Sequence, residues 1–161
     1  MRDWMFANSE GHALVSSIPL VLFILSAILS VIALFIRKGG LNLILFLLVL
    51  VGTGCIYFAI TTGEAAEKLI TLSSHDAREL LNAHKRLADK TMLLAIISSG
   101  LILLQLIMCW IKAKKLYALL SIVNLALVIT CSMLLFQVMK TGVELVYSHG
   151  LGVKHKLEKV P

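Results

Sequence analysis

Charged, aromatic and proline residues are scarce in this chain. Only 15% of its 161 residues are charged, 7% are aromatic and 2 are proline, whereas 59% are hydrophobic. This composition excludes a soluble enzyme with an ordinary buried core, and it is typical of an integral membrane protein.

Cysteine is also sparse. Cys55, Cys109 and Cys131 are isolated from one another and form no CxxC or CxxCH motif. Their spacing therefore excludes a disulfide framework, a metal knuckle and covalent haem attachment. We interpret the three thiols as small packing groups.

Four long stretches lack Asp, Glu, Lys and Arg altogether, and each is long enough to cross a hydrocarbon core, which needs about 20 apolar residues. They are residues 11–36, 39–63, 91–111 and 116–139. The sequence therefore predicts an all-α integral membrane four-helix bundle that forms a single domain over residues 1–161. The predicted spans are about 14–36, 41–62, 91–111 and 116–139. The mixed charge before the first span indicates that this span is retained rather than cleaved as a signal peptide.

Residues 63–90 separate the second and third spans and contain no proline and only one glycine, at their start. They are predicted to form a helical hairpin outside the bilayer, with the second helix ending near Leu72. Ser73 and Asp76 resemble a capping box for the third helix, which would run from about Ser74 to Trp110, roughly 54 Å. Helices 2 and 3 thus extend beyond the bilayer, and residues 150–161 form a tail.

The two short links, residues 37–40 and 112–115, contain five of the 15 Lys and Arg residues and none of the nine acids. A simple count of Lys and Arg would place these links outside the cell, whereas their basic density favours the cytoplasm, which we prefer. Both termini would then be periplasmic, in a bacterial inner membrane. Trp110 and Tyr117 are predicted interfacial anchors. Basic links at a membrane surface account for the net charge of +6 without nucleic acid.

Polar and small residues inside the spans are expected to pack helices together. Asn42, Gln105, Asn124 and Gln137 are predicted to form interhelical hydrogen bonds. Close helix approach is expected at Gly52, Gly54 and residues 98–100. A short resemblance between "TTGEAAE" (61–67) and "KTGVELV" (140–146) also suggests two similar hairpins.

All five histidines fall on the side of the membrane opposite the short links. His12 and His84 each lie roughly 38 Å along their helices from that end, and His149 roughly 51 Å. Each taken alone is best explained as an interfacial residue, but three on separate helices favour a shared site. His75 lies on the opposite face of its helix from His84, and His155 lies in the basic tail.

Neutral imidazole is a ligand of haem iron, copper and zinc. A b-type haem is favoured, with His84 and His149 as axial ligands and His12 as a third ligand or hydrogen-bond partner. Glycines would let the macrocycle edge approach the helices, and cations would bind its propionates. The expected cofactor-binding residues are His12, Gly63, Arg78, His84, Lys85, Arg86, Gly142 and His149. A copper or zinc site formed by the three histidines is the alternative, and it leaves the glycines unexplained.

Several motifs resemble those of the bacterial predicted membrane proteins grouped as domain of unknown function 2231. The resemblance runs from about residue 11 to 153, and its most specific part follows the fourth span. The matching residues are His12 with Pro19, Thr62 and Gly63 with Ala65 and Ala66, His84, and then Gly142, Leu145, Val146, Tyr147, His149, Gly150, Gly152 and Val153. Ala13, Ser17 and Lys85 depart from the pattern, and Ser17 replaces a second early histidine.

Some members of this family are joined to Rieske or cupredoxin domains, which implies redox work. The resemblance therefore agrees with a component that transfers electrons between the periplasmic side and a quinone or a partner redox protein, rather than with a conventional enzyme. The expected partners are the lipid bilayer, a quinone and a periplasmic redox protein. A homo-oligomer, or a structural or assembly subunit of a larger membrane complex, stays open.

Overall fold

The computed structural model describes residues 9–67 and 75–149, all of which lie in four helices or their short links. The helices are α1 (Ser9–Phe35), α2 (Gly39–Glu67), α3 (His75–Trp110) and α4 (Lys114–His149). Each is long and apolar enough to cross a membrane. The predicted all-α four-helix membrane bundle is confirmed. The expected cap at Ser73, the expected end of helix 2 near Leu72 and the tail 150–161 lie outside the described residues.

The four helices form a closed ring in which α1 packs on α2, α2 on α3, α3 on α4 and α4 on α1. Neighbouring helices are antiparallel, because Asn42 near the start of α2 bonds to Gln105 near the end of α3, while Glu67 at the end of α2 pairs with Lys85 early in α3. Both described links, residues 36–38 and 111–113, therefore lie at one end of the bundle, here called the short-link end. The opposite end, which contains Glu67, His84 and Thr141, is called the histidine end.

The bundle is apolar on the outside and partly polar on the inside. Large hydrophobic side chains such as Val21, Leu119 and Met133 are about 60% exposed, whereas Ser98 and Asn124 are completely buried. In water this distribution would be costly, but lipid tails are as apolar as leucine. The outer surface therefore fits a hydrocarbon solvent, and polar contacts inside hold the helices together.

A chain of buried hydrogen bonds joins all four helices near the short-link end. Asn124 on α4 donates to Gln105 Oε1 on α3 (2.6 Å), and Gln105 donates to Asn42 Oδ1 on α2 (2.8 Å). The Tyr117 hydroxyl of α4 lies 3.3 Å from Asn42 Nδ2 and donates to the carbonyl of Ala33 on α1 (2.8 Å). Three of the four predicted interhelical amides thus have that role, whereas Gln137 is exposed.

The two aromatic residues beside the second link differ from each other. Trp110 is 65% exposed, in agreement with an interfacial position. Tyr117 is only 1% exposed, so its prediction as an interfacial anchor is wrong. Its hydroxyl donates a hydrogen bond to the Ala33 carbonyl and accepts one from the Asn42 amide. The guanidinium of Arg37 covers the ring, 4.4 Å from its centroid.

Three glycines, at positions 52, 54 and 100, were expected where helices approach closely, and only Gly52 would bring a Cβ atom within 4 Å of another helix. A Cβ atom on Gly52 would lie 2.9 Å from Cε2 of the fully buried Phe23, so α1 and α2 meet there. Gly54 and Gly100 have nothing within 4 Å of such an atom, so the expectation is wrong for these two glycines. They lie on the lipid-facing side of their helices. The expected close approach at residues 98–100 occurs instead at the buried Ser99, whose hydroxyl lies 3.0 Å from that of Thr53 on α2.

The buried positions of α1 recur in α3 with a constant offset. Adding 72 to each of the buried positions 19, 23, 26, 30 and 33 gives 91, 95, 98, 102 and 105, all of which are buried. The same offset relates His12 to His84. A repeated helix register accounts for this burial pattern alone. The Thr-Gly pairs 62–63 and 141–142 are separated by 79 residues, and that offset also takes the buried positions 42, 45, 49, 52 and 56 of α2 to buried positions of α4. The sequence-based expectation of two similar hairpins therefore agrees with the packing.

Substitution of Gln105 by Leu should destabilise the bundle. The change leaves Asn42 Oδ1 and Asn124 Nδ2 without this partner in a buried site, and such losses cost about 1–3 kcal/mol. Gln137→Leu is the matched control, because it makes the same exchange on an exposed position. Unfolding in mixed micelles should therefore show a clear loss for the first variant and little change for the second. Equal stabilities would contradict the proposed importance of the amide chain.

A pair of glycine substitutions tests the contact between α1 and α2. Gly52→Ala forces Phe23 to move in a packed core, which costs about 1–3 kcal/mol. Gly54→Ala adds a methyl group in open space and should be neutral or stabilise the helix by up to about 1 kcal/mol. Thermal unfolding should give a melting temperature below the wild-type value for Gly52→Ala and at or above it for Gly54→Ala, and the same shift in both would exclude the close contact.

Candidate histidine site

The histidine end is formed by the first four turns of α3 and the last turns of α2 and α4. Residues 75–90 carry no helix breaker, and α3 continues from this polar segment into its apolar span without interruption. Ala77 is buried and Leu80, Leu81 and Ala88 are half-buried, so this segment packs against the bundle rather than standing free. The rigid helix fixes the height and direction of His84.

His84 is half-buried and bound to α4 through a side-chain hydrogen bond. Its Nδ1 lies 2.8 Å from the hydroxyl oxygen of Thr141. That hydroxyl is also directed at the carbonyls of Gln137 and Val138, at 3.1 and 3.0 Å. Because a hydroxyl has one proton to donate, and a helix carbonyl can only accept, Nδ1 carries the imidazole proton whenever the Thr141 hydroxyl donates to one of these carbonyls. The lone pair of the ring is then on Nε2.

Gly142, the residue after Thr141, lies directly against the same ring. A Cβ atom at this position would be 3.3 Å from His84 Cε1. The glycine expected to receive the edge of a macrocycle therefore lies against the imidazole of His84. Gly142 makes room for His84, and Thr141 fixes the rotation of its ring.

The cations expected to bind propionates differ in their surroundings. Lys85 pairs with Glu67 of α2, so its charge is compensated by a helix neighbour. Arg78 and Arg86 are exposed on α3. Gly63 is half-buried in α2, two residues after Thr61.

The remaining candidate ligands belong to the same end of the bundle at the level of the backbone. His12 lies in the first two turns of α1, and His149 is the last residue of α4. His149 follows Gly142 by seven residues, which places it on the same face, roughly 10.5 Å further along the helix. The side chains of His12 and His149 lie outside the described part of the chain. His75 is 89% exposed and 3.9 Å from the carboxylate of Asp76.

No group of three or more His, Cys, Asp or Glu residues able to hold a metal ion occurs among the described residues. Within that part of the chain, the structure therefore gives one oriented imidazole rather than a compact cluster of ligands.

Two residues of this site were not predicted, Thr141 and Glu67. The sequence contains a signal for the first, because a threonine precedes the glycine in both "TTGEAAE" and "KTGVELV". It contains none for the second, because the pairing of Glu67 with Lys85 depends on how far α2 and α3 slide past each other.

Gly142→Ala should displace His84. The new methyl group needs a shift of a few tenths of an ångström by the imidazole, and the gain of about 1 kcal/mol from placing alanine in a helix should be offset. Gly100→Ala, which has open space, is the control. We expect only the control to melt at a higher temperature, and only Gly142→Ala to change the imidazole chemical shifts of His84. Unchanged His84 signals would contradict the contact.

Comparison with known proteins agrees with the fold. A family described as a predicted membrane protein, DUF2231, matches residues 11–155. No curated protein and no solved structure matches the chain. The match covers nearly the whole sequence, including all four candidate spans. The chain is a multi-pass membrane protein that belongs to the DUF2231 family.

Proposed function

We propose that this protein is a b-type haem protein of the membrane in which His84 ligates the iron through Nε2. The observation that carries the proposal is the contact of His84 with Thr141 and Gly142. Ligating histidines commonly donate their second ring N–H to a fixed acceptor, which sets the tautomer and the ring orientation. Thr141 has that relation to His84, and Gly142 provides the space for the ring.

A haem iron requires fewer protein ligands than a compact metal site. The macrocycle supplies four nitrogen atoms, so one or two imidazoles complete the coordination. Zinc sites take three or four protein ligands, and the described residues contain no such group. One oriented imidazole therefore supplies a larger share of the protein ligands that a haem requires than of those that a copper or zinc site requires.

The surroundings of His84 are compatible with a haem at the histidine end. His12 and His149 occupy the ends of α1 and α4 and are the candidates for a second axial ligand. Arg78 and Arg86, both exposed on α3, would bind the propionates. When bound, the haem supplies one-electron transfer. The chain's own contribution is to hold His84 in one rotation and to exclude lipid from its Nδ1.

In the cell, we place the protein in the bacterial inner membrane with both termini in the periplasm. The histidine end would then face the periplasm, where a soluble redox protein has access to it. A quinone in the bilayer would be the second redox partner. The high density of positive charge in the two short links agrees with a cytoplasmic position for the short-link end.

One observation favours a second function. The His84–Thr141 and Lys85–Glu67 contacts both join separate helices, as expected of a rim whose role is structural. In that case the protein is a structural or assembly subunit, and the histidine end is the surface that contacts its partner.

A reduced-minus-oxidised absorption spectrum separates these functions. Protein produced with ample haem should show the bands of a b-type haem after reduction with dithionite. His84→Ala should abolish most of this signal, because the oriented ligand is lost. His75→Ala is the matched control on the same helix, and it should retain the spectrum because His75 is exposed to solvent.

The other outcomes identify the alternatives. Wild-type protein without haem bands, but with stoichiometric copper or zinc by elemental analysis, would replace haem by a metal ion. Protein with neither, in which His84→Ala changes only co-purification with other membrane proteins, would support the structural subunit.

A further inference from the structure

The short-link end carries positive charge that nothing on the described surface balances. Its cations are Arg37, Lys38, Lys112, Lys114 and Lys115, and all five are exposed. The acidic residues of the described chain lie at the histidine end, as do the His75–Asp76 and Lys85–Glu67 pairs. A surface of this kind attracts an anion.

Arg37 is held in place rather than merely exposed. Its guanidinium lies over the ring of Tyr117, 4.4 Å from the centroid, and Tyr117 is fixed by its hydrogen bond to the Ala33 carbonyl. Stacking on an aromatic face leaves the edge of a guanidinium free for a bidentate contact with phosphate. The buried hydrogen-bond chain therefore positions a phosphate-binding group at the surface.

Lys112 occupies a backbone conformation that glycine would adopt more easily. Its φ is 60°, in the left-handed region. It ends α3 in a Schellman motif, in which Ala113 N–H donates to the Met108 carbonyl and Lys112 N–H to that of Cys109. A lysine at this position costs stability relative to glycine, so the positive charge is held on a strained residue at the end of α3.

The two links are brought together by Trp110. Its Nε1 would lie 3.0 Å from a Cβ atom on Gly39, so the indole packs on the start of α2, beside Arg37 and Lys38. Trp110 is also 65% exposed, as expected of a residue at the level of lipid headgroups. The helices α2 and α4 both begin here and add the positive ends of their dipoles.

We infer that the short-link end binds the headgroup of an anionic phospholipid, with Arg37 and Lys112 on its phosphate and Trp110 beside the glycerol region. The lipid is preferred to a soluble anion because the site lies where the apolar, lipid-facing surface ends. Basic pockets between membrane helices bind such headgroups. This inference does not depend on a haem.

The test is binding of phosphatidylglycerol to the purified full-length protein in neutral detergent, followed by native mass spectrometry, with phosphatidylcholine as the comparison lipid. Wild type should retain phosphatidylglycerol in preference. The double variant Arg37→Gln, Lys112→Gln should bind it about 20-fold to 30-fold more weakly, since each cation near a phosphate contributes about fivefold. The charge-matched control Lys90→Gln, Lys140→Gln, at the histidine end, should change binding less than about twofold.

Lys112→Gly distinguishes loss of binding from loss of folding. It removes the charge and also relieves the left-handed strain, so it should melt at a higher temperature than wild type while binding phosphatidylglycerol about fivefold more weakly. Millimolar inorganic phosphate should not displace the lipid. Equal losses in both double variants, no preference over phosphatidylcholine, or full displacement by inorganic phosphate would each overturn the proposal.

Discussion

The structure depends on the cost of leaving a polar group unpaired where no water is present. In a hydrocarbon solvent, apolar helix faces gain little by meeting one another, so hydrogen bonds and close packing must set the arrangement. The chain Asn124–Gln105–Asn42, completed by Tyr117 and the Ala33 carbonyl, joins all four helices at one level. It fixes the rotation of each helix about its axis. Because helices are rigid, that rotation also decides which residues face inward at the far end.

The two ends of the bundle are consequently specialised. At the histidine end, acids and bases are paired or exposed side by side, and a half-buried imidazole is held between α3 and α4. At the short-link end there are cations without acids, and their most ordered member rests on a buried tyrosine. One end therefore presents an oriented imidazole, and the other a surface of closely spaced cations.

Much of the fold could be predicted from the sequence, because the solvent imposes it. Four uncharged segments of sufficient length leave few alternatives, and an amide such as Gln105 inside one of them must find a partner. The long helix α3 followed from the absence of breakers. These predictions use only the local sequence and a general property of lipid.

The errors concern residues whose role depends on rotation and register. Tyr117 has the composition of an interfacial anchor, but it starts α4 on the inward face and is buried. Gly54 lies two residues from Gly52 and hence on the other side of the helix, facing lipid. Gly142, for which a role at a cofactor stays a prediction, lies against His84, a neighbour that the sequence did not indicate. The residue type was informative each time. The neighbours of Tyr117 and Gly142 are more than 50 residues away in the chain, and Gly54 has none within 4 Å, so the sequence has no local signal for their surroundings.

The constant offset of 72 between buried positions in α1 and α3 has a consequence for how the chain crosses the membrane. A hairpin crosses the bilayer twice, so the second hairpin enters from the same side as the first, and α1 and α3 run in the same direction. Residues related by the offset therefore lie at the same end of the bundle, as His12 and His84 do. The shared register does not fix the residue type, because Pro19 in α1 corresponds to Thr91 in α3.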